Sequence, residues 1–148
     1  MKTHPYLRAY LAGLFVPSLG LLLLLTGFVV VRLVLQAPVP IERGLIFPMA
    51  VVPSLFGLWN MLWLWLHQRS HLSIGLHGAV LPLEMAPVGA LVGTSLGVLE
   101  ISSHGVVWFQ ACSISFAWIV PGFVAAMAAY YLVWKYVVGF LNRVLGIA

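Results

Sequence analysis

The chain has 148 residues, 63% of them hydrophobic and 7% charged, whereas about a quarter of the residues in an ordinary soluble domain are charged. That balance excludes a soluble globular domain and predicts an all-α polytopic membrane protein. Seven Lys and Arg against three acidic residues give a formal charge of +4, but the basic residues are scattered and offer nucleic acid no patch to bind.

Apolar runs long enough to cross about 30 Å of hydrocarbon at ~1.5 Å per residue predict four spans, with short loops and no separate domain within residues 1–148. The first covers residues 9–35, and its only charge, Arg32, can snorkel to the nearer interface. Lys2 and Arg8 precede it as in a secretory signal. Its apolar core is longer than a signal would carry and no small-x-small cleavage site follows, so the expectation is a retained helix. Gly13, Gly20 and Gly27 recur at sevens, a spacing that keeps one face toward a partner helix in a left-handed crossing.

The second span, residues 44–66, follows the connection QAPVPIER and runs into NMLWLWLHQRSHLSIGLHG. Asn60, Trp63, His67 and His71 share an arc of roughly 80° if the helix continues, and His67 and His71 have a spacing that can chelate a metal. His77 is expected in a loop between Gly75 and Gly78. Asn60, His67, His71 and His77 therefore form a candidate polar cluster on the cytoplasmic side.

The third span, residues 79–101, starts five residues before Glu84, which places that carboxylate about 7.5 Å inside the membrane. At that depth Glu84 can snorkel, meet His77 or Arg69, or alternate between protonation states as in a proton-coupled transporter. Gly89, Gly93 and Gly97 repeat at fours, the spacing of close helix crossings in lipid. On a continuous helix Glu100 and His104 fall on the same face, within an arc of roughly 80°. Together with Glu84 they make a candidate protonatable or ligand site; two ligands are too few for a metal.

The fourth span, residues 110–134, ends among Tyr130, Tyr131, Trp134 and Tyr136, an aromatic belt matched by Trp63 and Trp65. Residues 135–148 read as an amphipathic helical tail in the interface, with Lys135, Gly139, Asn142 and Arg143 on its polar side. Lys2, Arg8, Arg69, Lys135 and Arg143 on one side against Arg32 and Arg43 on the other predict a bacterial-type inner membrane protein with cytoplasmic termini.

Cys112 is the lone cysteine, so an internal disulfide and a Cys-x-x-Cys pair are excluded. The chain holds no Asp and none of the Ser-x-x-Lys or His-Glu-x-x-His sets that hydrolases and zincins require. Haem held by paired imidazoles needs histidines at matching depth on facing helices, a pattern this sequence lacks. No metal or other cofactor is predicted. Two readings remain: an oligomer-forming, accessory or scaffold subunit of a membrane complex, partnered by the bilayer, by copies of itself or by a larger membrane protein; and a small proton-coupled transporter or channel. A third, a quinone-, pigment- or metal-binding protein, would rest on residues such as Trp108, Gln110 and Trp118.

Overall fold

The computed structural model describes residues 4–36, 42, 46–110 and 112–147. Helix α1 is Pro5–Val29, extended by a π turn over Val30–Val34; α2 is Phe47–Ser70; α3 is Ile74–Ser95. Three short strands follow, β1 Leu99–Ile101, β2 Gly105–Trp108 and β3 Cys112–Ser115. Helix α4, Phe116–Leu132, continues through a π segment, Val133–Val138, into α5, Gly139–Val144. Among the described residues four helices are long and apolar enough to cross a membrane: 5–34, 48–70, 74–95 and 116–144.

The chain ends these helices by identifiable means. Pro5 enters the first turn of α1, where its missing N–H is not needed. Ser73 and Ser115 cap α3 and α4 by accepting from the amides of Leu76 and Ala117. At the end of α3, Gly97 has φ +67°, its amide donates to Thr94 and the Val98 amide to Gly93, the paired bonds of a glycine-terminated helix. Gly146, with φ +64°, ends α5 through the same pair of bonds, to Arg143 and Asn142.

Gly97 therefore corrects the expected third span and the all-α fold. A helix running on to Ile101 would need a right-handed residue 97. Instead the chain turns extended, and Val98, Ile101, Val106, Val107, Trp108 and Ile114 supply the β-branched and aromatic content that favours strands. The strands form an antiparallel meander, β1-β2-β3, with Glu100 opposite Val107 and Val106 opposite Ile114. Gly105 is required there, because a Cβ would overlap the Ile114 carbonyl. The fourth span consequently begins at Phe116.

Two antiparallel hairpins make up the helical part, α1 with α2 and α3 with α4. They join in the half of the molecule that holds Tyr6 and Ile147, around Phe56, Leu81, Trp134 and Val138 and a second cluster of Ala9, Trp63 and Leu64. Beyond Gly13 in α1, beyond Pro82 in α3 and throughout α4, no residue is buried. The half nearer the sheet is open.

The tail corrects a second expectation. Trp134, Val138 and Asn142 recur at fours and are all buried, so the segment after residue 134 packs along the bundle against α1 and α3. It is a continuation of the fourth helix, and Asn142 belongs to its buried stripe and not to a solvated polar face.

Candidate functional site

Helices α1 and α2 cross where Ala9, Ala12, Gly13 and Gly57 leave room for close backbone approach; a Cβ on Gly13 would overlap the Phe56 carbonyl, and one on Gly57 the Tyr10 ring. In lipid such contacts are the main source of helix affinity, because the surrounding solvent is as apolar as the side chains. At this crossing sits Asn60, completely buried. Its Nδ2 donates to the Ala9 carbonyl at 2.7 Å and to Asn142 Oδ1 at 2.8 Å, and its Oδ1 accepts from Asn142 Nδ2 at 3.2 Å. One amide pair thereby ties α1, α2 and α5 together.

A second polar knot joins α2 to α3. His77 lies inside α3 and is buried, which corrects its expected place in a loop: Ser73 starts the helix four residues earlier. Its ring stacks on Trp59 with centroids 4.6 Å apart. His77 Nε2 donates to the Trp59 carbonyl at 2.9 Å, which fixes that nitrogen as protonated, and Trp59 Nε1 donates to the His77 carbonyl at 3.0 Å. Gly75 and Gly78 let the side chains of Tyr131 and Trp134 approach α3 closely, where a Cβ would overlap them. The buried Trp134 Nε1 finds no acceptor among the described residues.

His67 belongs to a third group, at the end of α2. Its ring stacks on Trp63, and both donate to the Leu72 carbonyl, from Nδ1 at 3.1 Å and from the indole at 3.2 Å. His71 stands edge-on to His67 in the left-handed conformation that ends α2, with φ 50°. The four members of the polar cluster thus divide: Asn60 and His77 are buried in the bundle, His67 is half-buried in the turn, and His71 is exposed. Among the described residues no three His, Cys, Asp or Glu converge as a metal would require.

The three residues of the candidate protonatable site lie on different elements. Glu100 lies in β1, exposed, beside a hollow of about 230 Å³ shared with Thr94 and Gln110. His104 is at the tip of the β1–β2 turn, where Ser102 Oγ accepts from its amide and its carbonyl accepts from Phe116. The shared helical face expected for Glu100 and His104 does not exist, because the helix has already ended at Gly97.

Glu84 is the most altered of the three. Since α3 starts at Ile74 and not near Ala79, Glu84 lies at its midpoint, about 15 Å from either end on helical rise. It is exposed and makes no hydrogen bond or ion pair with any described residue. Pro87 meanwhile removes the N–H that the Leu83 carbonyl would accept in a regular helix.

The glycines also divide. Gly13 is a contact with α2, and Gly93 packs against the Leu99 side chain, whereas a Cβ on Gly20, Gly27, Gly89 or Gly97 would meet no atom within 4 Å. Packing roles were not expected of Asn142, placed on the polar side of the tail, or of Gly75 and Gly78, placed beside a loop. The spacing of Trp134, Val138 and Asn142 at fours is the signal that marks the first. Comparison with protein-family models, curated proteins and solved structures finds no match to this chain.

Proposed function

We propose that the chain is an integral membrane helix-bundle subunit, of the bacterial inner-membrane type with cytoplasmic termini, that associates through the open face of α3. The observation that carries this reading is Glu84. A carboxyl group facing lipid at mid-span costs several kcal/mol, and intramembrane acids face a bundle interior, a cavity or a partner group. Within this chain Glu84 faces none of these. A neighbouring helix bearing a hydrogen-bond donor or a cation would satisfy Glu84. Such a helix comes from another copy of the chain or from a larger membrane protein.

Cross-linking and sizing in mild detergent test this. Interhelical hydrogen bonds in membranes contribute about 0.6–1.7 kcal/mol, so Glu84→Leu is expected to weaken association roughly three- to twentyfold. A protein that is a lone monomer, bringing down no partner and giving the same cross-linking pattern with Glu84→Leu, sinks the proposal. The mid-span depth of Glu84 also favours a second reading, a proton-coupled transporter built at an oligomer interface. That reading requires pH-gradient-driven flux in liposomes that Glu84→Gln abolishes.

A further inference from the structure

Charge divides the two ends of the bundle. The packed end holds Arg8 of α1, Arg69 of α2, and Lys135 and Arg143 of the fourth helix; Arg8 is half-buried and the others are exposed. The chain's three carboxylate side chains lie elsewhere. Glu42 is 3.2 Å from Arg32 beyond α1, Glu84 is at the midpoint of α3, and Glu100 is in the sheet. These cations therefore share one end with no described acidic side chain to neutralise them.

Two of them are held in place by aromatic rings. The Arg69 guanidinium lies over Trp65 at 4.3 Å, and the Lys135 ammonium lies 5.4 Å from the Tyr131 centroid and 5.3 Å from that of Tyr136. Tyr131 is in turn seated against Gly75. A ring quadrupole orients a cation without cancelling its charge, so both cations stay available to an anion. Arg8 is fixed by its bond to the Leu145 carbonyl, at 2.7 Å, in the turn that Arg143 enters.

The layout selects the kind of anion. The cations are spread over three of the four long helices, which suits a partner that surrounds the bundle better than one that docks on a single face. Trp and Tyr rings settle at the headgroup level of a bilayer, so Trp65, Tyr131 and Tyr136 put Arg69 and Lys135 at that level. There the negative charge available on every side is the headgroup charge of anionic phospholipids.

We infer that the packed end of the bundle carries a belt that selects anionic phospholipids, with Arg69 and Lys135, on their aromatic rings, as its principal headgroup contacts. Such a belt is distinct from the Lys and Arg bias that orients a chain on insertion, because it ranks the lipids around the folded protein. It rests on the bundle's place in a membrane and is independent of whatever partner meets Glu84, which lies far from these cations at mid-span.

Native mass spectrometry of the full chain in mild detergent, offered equal amounts of phosphatidylglycerol and phosphatidylcholine with matched acyl chains, reads the preference directly. The wild type is expected to retain phosphatidylglycerol first. A cation near an anionic surface contributes about fivefold, equivalent to ~1 kcal/mol. Arg69→Gln and Lys135→Gln are each expected to lower the ratio of retained lipids by about that factor, and the double variant roughly twentyfold. Arg69→Lys combined with Lys135→Arg keeps both charges and is expected to keep the preference, as is Arg32→Gln at the opposite end of α1. Circular dichroism identifies a variant that has lost its helices, and Arg143→Gln, at another exposed cation, then decides. The inference is overturned if the wild type retains the two lipids equally, if the folded double variant keeps the wild-type ratio, or if Arg32→Gln lowers it as far as Lys135→Gln. Polyglutamate that displaces phosphatidylglycerol, and loses its own binding in the double variant, would also overturn it by assigning these cations to an acidic protein.

Discussion

The Asn60–Asn142 pair provides the sharpest quantitative test of how the bundle is held. Both side chains are completely buried and they exchange two hydrogen bonds, at 2.8 and 3.2 Å, while Asn60 adds a third, at 2.7 Å, to the Ala9 carbonyl. Asn60→Leu conserves approximate volume, so cavity formation contributes little. It removes three bonds and leaves the Asn142 amide and carboxamide oxygen buried without those partners. Three interhelical bonds at about 0.6 kcal/mol each set a lower figure near 2 kcal/mol, and stranding a buried amide at about 1–3 kcal/mol raises the total to roughly 3–5 kcal/mol. Asn142→Leu strands Asn60 but leaves its bond to Ala9, so its cost falls at the lower end of that range. Leucine at both positions removes both stranded groups, and the double variant is expected to regain about 1–2 kcal/mol relative to additivity. Reversible unfolding in detergent, followed by tryptophan fluorescence because Trp63 and Trp134 lie in the same packed half, measures each corner of the cycle. Single substitutions costing under about 0.5 kcal/mol, or strict additivity in the double variant, would refute the assignment of the pair as a tie between α1, α2 and α5.

The glycines yield a contrast in sign. Gly13→Ala and Gly78→Ala force a Cβ into the Phe56 carbonyl and the Trp134 indole, and are expected to lower the melting temperature, whereas Gly27→Ala and Gly89→Ala meet no atom and gain up to about 1 kcal/mol of helix propensity. Melting curves of the four variants check this, and the same sign for all of them contradicts it. Arg8 donates from Nη1 to the Leu145 carbonyl at 2.7 Å, closing the last turn of α5 onto α1. Arg8→Ala loses a hydrogen bond from a charged group, about 1.5–3 kcal/mol in a protected setting and less in this half-buried one, and amide exchange over residues 142–147 should accelerate. Unchanged exchange there would show that the tail is held by Trp134, Val138 and Asn142 alone.

What the sequence disclosed follows from which signals are long and which are single residues. Four apolar runs identify four helices long and apolar enough to span a membrane, because length and composition are integrated over some twenty positions. The ends were set by individual residues. Gly97 reads as one member of a Gly89, Gly93 and Gly97 seam, but its backbone is left-handed and it stops the helix, converting the predicted Glu100–His104 face into a strand and a turn. Ser73 shifts the start of α3 by five residues, and that shift alone moves Glu84 from near the interface to mid-span and His77 from a loop into the core. Asn60 was recognisable as a polar residue on an otherwise apolar face. Its partner Asn142 lies 82 residues away, a long-range pairing that local periodicity does not encode.

The two halves of the bundle differ in how their polar groups are met, and that difference bears on function. In the packed half, Asn60, Asn142, Trp59 and His77 form hydrogen bonds to neighbouring helices. In the open half, hydroxyls such as Ser18, Thr26, Thr94 and Ser95 bond back to carbonyls of their own helices, and Glu84 bonds to nothing described. Looseness of the second hairpin does not explain this. Gly75 and Gly78 seat Tyr131 and Trp134 at one end of α3, and the meander joins α3 to α4 at the other, so the hairpin is closed at both ends. The first hairpin is likewise fixed by the α1–α2 crossing at Gly13 and Gly57. Among the described residues the two braced hairpins join in the packed half and leave the other half open. On the reading proposed above, a neighbouring helix with a polar group would complete the face where α3 presents Glu84.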